Sequence, residues 1–461
     1  MNAAGKWGRR LSISRGYLLL ALAVIFILSA FFNWPGKYIL VALTVFLIMY
    51  SFPFMSMFPK VMTGLLLTAG HVVYFSQPLS FLYWQNSLIE NLPLVALFVS
   101  VPLFAYPLQA GGYVEYVSSI AHRFLKTPIK IFSNIVVLTG TLSSFMNLGS
   151  VRITYELFYE EIQRDPKFYI KSVSQGFSLA MCWSPYFAGV AIVLSMLSLP
   201  IFPFILWGVL MMIAGMAAAV LMSLKESHND VENRVILEAK SNQKEKLSWK
   251  KGLELTSVFV GMFASLFILE QIFQVNLVIL ISFIAFIYPV VWMACLKKKK
   301  EFGKSLRHYK DHILPRIHNE AILFIAAAFF AEMVKTTSIS IVIADVYEYL
   351  TRLSPFIVIF STILIIVLLG AAGIHQILTV SLIGASISVS DLTISVEAFG
   401  LALIAGWSLS TAVSPVAALN LTLGNLLRRS PMAVGWLNVP YAAVTMTVLS
   451  VIIYFINYLT I

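Results

Sequence analysis

Hydrophobic residues in this chain come in blocks of roughly 18 to 25, each long enough to cross about 30 Å of hydrocarbon as a helix. Short polar or charged stretches separate the blocks. The pattern predicts membrane helices at 17–32, 38–53, 61–77 and 91–108, followed by an amphipathic stretch from Tyr113 to Lys126. An apolar arm (131–146) and a more polar arm (151–163) come next, then a long segment at 172–200 and a helix at 203–224. A polar linker, Lys225 to Lys251, divides the chain. Beyond it the pattern predicts helices at 253–273, 276–295 and 317–336, and an amphipathic stretch at 341–352. A pair of apolar arms over 355–387 and two long segments, 399–425 and 433–458, complete the reading.

The charges orient these elements. Cytoplasmic loops of membrane proteins hold the excess of Lys and Arg. With the N-terminus inside, and with 131–163 and 355–392 each entering and leaving on one side, almost all of the 32 Lys and Arg fall inside. Lys37, Lys335 and Arg352 fall outside, and Arg152 falls within the membrane. If both segments crossed fully, the basic stretches Lys225–Lys251 and Lys297–Arg316 would move outside. The run Lys297 to Lys300 reads as an orientation signal, with anionic lipid headgroups as a secondary partner. The first block, Tyr17 to Phe32, lacks a small-residue cleavage site and reads as a retained helix.

Near the middle of each half a motif recurs. Gly176-Phe177-Ser178-Leu179 leads to Ser184-Pro185 and Ala188, and Gly406-Trp407-Ser408-Leu409 leads to Ser414-Pro415 and Ala418, at an offset of 230. Ile131-Phe132-Ser133 echoes Ile359-Phe360-Ser361 at an offset of 228. The charge count gives the two halves opposite orientation in the membrane. Inverted repeats of this kind are a recurring plan of secondary transporters, with the site near the midplane at broken helices.

Composition sharpens the picture. The chain is 59% hydrophobic and 11% charged, where a soluble domain carries about 25% charged residues. Its net charge of +11 sits in the inside loops, which argues against nucleic acid. Cys182 and Cys295 form neither a disulfide framework nor a metal-ligand spacing. There is no HExxH, no Gly-rich phosphate loop and no Gly-x-Ser-x-Gly elbow, so the reading is not an enzyme and no cofactor is expected.

Three sets of residues can carry chemistry. Proline inside a helix leaves the carbonyl four residues back without its donor. Pro185 would free that of Met181 and Pro415 that of Thr411, while Ser184 and Ser414 add hydroxyl oxygens. Met181, Ser184, Thr411 and Ser414 are thus candidates to hold a cation such as Na+, against the plainer reading of a proline kink satisfied by serine. The two turns come next, at Met146-Asn147-Leu148-Gly149-Ser150 and Gly370-Ala371-Ala372-Gly373-Ile374-His375-Gln376. Helix ends at such turns present N–H groups that suit an anion. Asn147, Gly149, Ser150, Arg152, His375, Gln376 and Thr379 are the candidate solute-binding residues, with Asn147 and His375 paired at an offset of 228. Last come the intramembrane ionisable groups. Arg152 and Glu156 either neutralise each other or leave Arg152 to face an anion; His375 either binds solute or caps a helix. His71 reads as a helix-contact residue, and Glu332 with Lys335 as a structural pair.

The order of parts resembles the ion-transporter superfamily, especially the divalent anion:sodium symporters. Members of that group place Ser-Asn-Thr at the hairpin tips and Thr-Pro at the helix breaks. Here the corresponding positions read Asn147-Leu148-Gly149-Ser150, Gly373-Ile374-His375-Gln376, Ser184-Pro185 and Ser414-Pro415. The resemblance implies a homodimer in which helices 38–108 and 253–336 supply the scaffold while the hairpins and broken helices move. The expected fold is an all-α polytopic membrane protein of about eleven transmembrane helices, with two inverted repeats, two re-entrant hairpins and two broken helices. Its parts are an N-terminal tail and extra first helix (1–37), repeat 1 (38–224), a cytoplasmic linker (225–252) and repeat 2 (253–461). The expected function is secondary transport, of elevator type, of a small anionic solute coupled to Na+ or H+ in the cytoplasmic (inner) membrane, with the C-terminus outside. The alternatives are a cation/proton antiporter and a non-transporting membrane protein acting on a lipid-linked substrate.

Overall fold

The computed structural model describes residues 3–32, 34, 36–122, 127–229, 249–273, 275–387 and 392–460. The end of the first amphipathic stretch (123–126), the central part of the linker (230–248) and the loop around Ser390 lie outside the described residues. Among the described residues every regular element is helical. In chain order they are α1 (Ala3–Phe31), α2 (Lys37–Ser51), α3 (Met57–Ser76), α4 (Phe81–Ile89), α5 (Leu92–Ser100), α6 (Ala105–Ala110), α7 (Tyr113–His122) and α8 (Pro128–Met146). Next are α9 (Gly149–Leu157), α10 (Tyr159–Arg164), α11 (Pro166–Ala180), α12 (Ala188–Met196), α13 (Ile201–Asn229), α14 (Trp249–Ile272), α15 (Leu277–Cys295) and α16 (Lys299–His308). The last are α17 (His318–Val334), α18 (Ser338–Leu353), α19 (Pro355–Ala371), α20 (Gln376–Ser386), α21 (Val396–Val413), α22 (Ala418–Leu427), α23 (Pro431–Trp436) and α24 (Val439–Thr460).

Among the described residues nine helices are long and apolar enough to cross a membrane, and ten if the bent pair Lys299–Arg316 and His318–Val334 is one span. The protein is an all-α, multi-pass membrane protein. The predicted helix at 91–108 is the C-terminal part of a longer span, Phe81–Ala110. Its N-terminal part, α4, escapes a hydropathy reading because Gln85, Asn86, Ser87, Glu90 and Asn91 dilute the apolar block. The predicted arm at 151–163 is likewise two short helices, α9 and α10, interrupted at Phe158.

The chain folds as two compact units, and each draws on both repeats. Unit 1 holds residues 1–111, 259–344 and 381–387. Its core is apolar: Leu19 and Leu22 of α1, Leu92, Val95 and Val99 of α5, and Ile322, Ile325 and Phe329 of α17 are all buried. A side chain at Gly70 would run into the Phe329 ring, so α3 and α17 cross closely there. His71 makes helix contacts: Nδ1 lies 2.7 Å from the Leu67 carbonyl, and Nε2 accepts from the Trp84 indole N–H at 3.1 Å. Lys335 pairs with Glu332 at the end of α17.

Unit 2 holds residues 112–258, 345–380 and 388–461, which include the helical hairpin α8–α9, the second hairpin α19–α20 as far as Val380, and two broken helices, α11/α12 and α21/α22. Each hairpin starts with a hydroxyl residue followed by proline. Thr127 accepts from the Lys130 N–H and Ser354 from the Phe356 N–H, while Pro128 and Pro355 need no donor at the first helical position. The repeated glycines have a matching cause. A Cβ on Gly176 would sit 2.4 Å from the Val136 oxygen of α8, and one on Gly406 would sit 2.7 Å from Ile366 of α19. Val136 and Ile366 are themselves 230 apart, so the same helix crossing is built twice.

Candidate functional site

The repeated serines mark the relation between the halves. The Ser408 hydroxyl of α21 donates to the Ser178 carbonyl of α11 at 2.6 Å. Equivalent residues touch each other only on a two-fold axis, so the pseudo-symmetry axis of the repeats passes through this contact. A few residues beyond it both helices break. Several hydrogen bonds of the two breaks correspond. Ser184 N–H donates to Ala180 and Ser414 N–H to Ser410; Phe187 N–H returns to Ser184 and Ala417 N–H to Ser414. The Ser184 and Ser414 hydroxyls each accept from the N–H two residues on, at 3.4 Å in both cases.

Each hairpin tip lies against one break. At the first, the Ser184 hydroxyl donates to the Ser144 carbonyl at 2.6 Å, and the Phe145 ring packs edge-on to Trp183 at 6.1 Å. At the second, Gly370 meets Ser410 so closely that a Cβ would overlap the hydroxyl, and Gly373 borders Val416. The tips turn by left-handed residues, Asn147 (φ 48°) and Gly373 (φ 92°). This corrects the predicted pairing of Asn147 with His375. The turn residue equivalent to Asn147 is Gly373, because the second loop is longer, and His375 falls at the start of α20.

The candidate residues divide by what they touch. Ser150 is buried; its hydroxyl donates to the Asn147 carbonyl (2.7 Å) and lies 2.6 Å from the Ser143 hydroxyl. Gly149 opens α9 at an exposed position. Arg152 bonds Glu156 at 3.2 Å, with their side chains 76% and 65% exposed. His375 accepts the Ile377 N–H through Nδ1 at 3.3 Å, capping α20. Gln376 and Thr379 stand one turn apart, both buried, and the Gln376 amide nitrogen and Thr379 hydroxyl have no protein partner. Ser410 Oγ and Asn420 Oδ1 are buried without partner at the second break. Met181, Ser184, Thr411 and Ser414 all line the breaks and are all buried.

Two expectations about the breaks change. The first helix has already ended at Ala180, so the Met181 carbonyl leaves the helix with the whole segment 181–187. The second runs on to Val413, and the Thr411 carbonyl is not free: the Asn420 side-chain amide donates to it at 3.3 Å, and also to the carbonyls of Ala412 (3.0 Å) and Ser414 (2.8 Å). Asn420 escaped the sequence reading. The signal was one polar residue six positions past Ser414-Pro415, where the first repeat has Val190.

The electrostatics are those of dipoles. Among the described residues, the buried polar side chains of unit 2 are hydroxyls and amides, and the buried Arg15 and His318 belong to unit 1. The helices α9, α12, α20 and α22 all begin at the tips or breaks, bringing N–H groups and positive dipole ends there. The helices α8, α11, α19 and α21 end there, bringing carbonyls and negative dipole ends. Such an arrangement can hold an anion at the first set and a cation at the second.

No family model and no curated protein sequence matches the chain. Among solved structures it is similar to the YdaH transporter of Alcanivorax borkumensis, whose topology is described as unusual, with 16% sequence identity. The similarity covers 80% of this chain and 86% of that one, with a TM-score of 0.56. The chain therefore has the fold of a solved transporter.

Proposed function

We propose that the protein is a secondary active transporter of elevator type, residing in the cytoplasmic membrane and moving a small anionic solute coupled to Na+ or H+. The observation that carries this reading is the meeting of two hairpin tips with two helix breaks inside one unit whose buried polar groups are hydroxyls and amides. Irregular backbone is tolerated at membrane depth where it is enclosed by protein or lines a watery cavity. Two breaks side by side thus have the makings of a polar site within the bilayer. The similarity to a solved transporter supports the same reading. In it, the N–H groups of α9 and α20 and the side chains of Asn147, Gln376 and Thr379 face the solute, and the break carbonyls face the coupling ion. Each copy works within a homodimer.

A thermal-shift panel of small mono- and dicarboxylates and inorganic anions, run at several pH values with and without Na+, tests the reading. A ligand at about 100 times its Kd adds about 2.7 kcal/mol to apparent stability. At least one anion should raise the melting temperature in a Na+- or pH-dependent way, and should then be taken up by vesicles bearing the protein. An anion panel without effect at any pH or Na+ concentration removes the reading. The membrane orientation is tested by single cysteines in a background lacking Cys182 and Cys295. Lys167→Cys should label from the cytoplasm and Ser390→Cys from outside; the reverse result overturns the inside N-terminus.

A further inference from the structure

The two breaks occupy equivalent places in the repeat but are not equal. Helices α12 and α22 start at Ala188 and Ala418, 230 apart, so the first turns after the two breaks correspond residue by residue in register. Before the breaks the register is the same but the outcome differs. Ala180, where α11 stops, corresponds to Ser410, and α21 stays helical to Val413. The first helix instead tightens and unwinds: Met181, Cys182 and Trp183 N–H groups bond three residues back, to Ser178, Leu179 and Ala180. The carbonyls of 181–183 leave the helix at the first break, whereas their counterparts of 411–413 remain within it at the second.

One side chain accounts for the difference. Asn420 is fully buried, and its amide nitrogen lies within 3.3 Å of three backbone oxygens, those of Thr411, Ala412 and Ser414. A side-chain amide nitrogen carries two hydrogens and no acceptor site, so it presents partial positive charge to the negative end of α21. Three carbonyls converging on one buried point is also the arrangement that would hold a bare cation. The position that corresponds to Asn420 in the first break is Val190, fully buried and without a donor.

On the reading of the protein as an ion-coupled transporter, we propose that the Asn420 amide is a built-in substitute for a cation at the second break, so that each chain binds one coupling cation, at the first break. The repeat supplies two places of similar backbone shape, and one of them is permanently filled. Thr411 and Ser414 are then structural, and Met181 and Ser184 belong to the ion site. Asn420 acts on that chemistry as a positioning residue, holding α21 wound without touching the ion.

Reciprocal exchange of the two residues tests this. Full-length protein in nanodiscs is titrated with Na+ against choline at constant ionic strength, and intrinsic tryptophan fluorescence and melting temperature are followed. The wild type should saturate with a Hill coefficient of about 1. Val190→Asn should shift the Na+ midpoint upward by about tenfold or more while melting in Na+-free buffer at or above the wild-type temperature. Val190→Thr, close to valine in shape, should shift it the same way by less, and guards against misfolding of the first variant. Asn420→Val should melt lower without Na+ and gain a steeper Na+ response, with a Hill coefficient above 1. Folded Val190→Asn and Val190→Thr proteins with the wild-type Na+ midpoint overturn the inference. So does an Asn420→Val protein whose Na+ response is wild type in midpoint and slope. A wild type that responds to pH but not to Na+ overturns the inference and leaves the transporter reading intact. That reading fails differently, in a wild type that responds to neither.

Discussion

The two hairpins of unit 2 are built alike at their entrances and unlike inside. In α8–α9 the polar groups bond across the hairpin: Ser143 with Ser150, Thr139 with Thr154, and Ser150 with the Asn147 carbonyl. In α19–α20 the Gln376 amide nitrogen and the Thr379 hydroxyl are buried and bond to nothing in the protein. A buried polar group without a partner costs about 1–3 kcal/mol. The first hairpin therefore holds itself together, while the second keeps polar atoms available at a corresponding cost in stability. A site that must release its solute can use a stiff wall and a receptive wall, and the two hairpins divide the roles in that way.

The largest effect expected from breaking this comparison comes from the glycines that seat both hairpins. Gly176→Ala would drive a Cβ to 2.4 Å from a backbone oxygen, and Gly406→Ala would drive one to 2.7 Å from Cδ1 and 2.9 Å from Cβ of Ile366. Gly176→Ala should cost about 3 kcal/mol, the upper end for overpacking, and Gly406→Ala distinctly less. Chemical or thermal denaturation in detergent measures both, and equal losses would show that the two crossings are equally rigid.

Of intermediate size are the polar substitutions. Gln376→Ala should lower solute affinity about tenfold, the effect of one lost hydrogen bond of about 1.4 kcal/mol. Ser150→Ala should lower stability by about 1 kcal/mol and leave solute affinity near wild type. Thr379→Val keeps the shape and removes the orphaned hydroxyl, so its stability should equal or exceed that of the wild type. If Ser150→Ala weakened solute binding more than Gln376→Ala did, the division of roles would be the reverse. The smallest effect is expected at His375. Its Nδ1 accepts the Ile377 N–H, and a proton on that nitrogen would abolish the cap. His375→Asn supplies a capping oxygen that does not titrate. Transport should then lose part of its dependence on pH. An unchanged pH profile would confine His375 to shaping the turn.

Much of this organisation is legible in the chain itself. The Ser-Pro breaks are visible because proline cannot continue the helical bonding and the same words recur 230 residues apart. The hairpins are visible because a short turn joins two arms in each half and charge counting argues against full crossings. The rest depends on contacts between distant segments. Nothing local distinguishes the capped Thr411 carbonyl from the Met181 carbonyl; the difference comes from Asn420 folding back across the break. Of the two readings that the sequence leaves open for Arg152, the structure has the local one, a bond to Glu156 one turn on. Helix α4 is hidden by Gln85, Glu90 and Asn91; the polarity of Asn91 is met by helix packing, its amide donating to the Phe324 carbonyl of α17 at 3.0 Å.

The hydrogen bond between Ser408 and Ser178 has a consequence for how the protein is made. Its partners are 230 residues apart, and α11 leaves the ribosome long before α21 exists. Contacts this remote in sequence form late and slowly. Until they form, the first broken helix and its hydroxyls lie in the bilayer without their counterpart. The nascent first half thus keeps these hydroxyls unmatched until translation delivers the second.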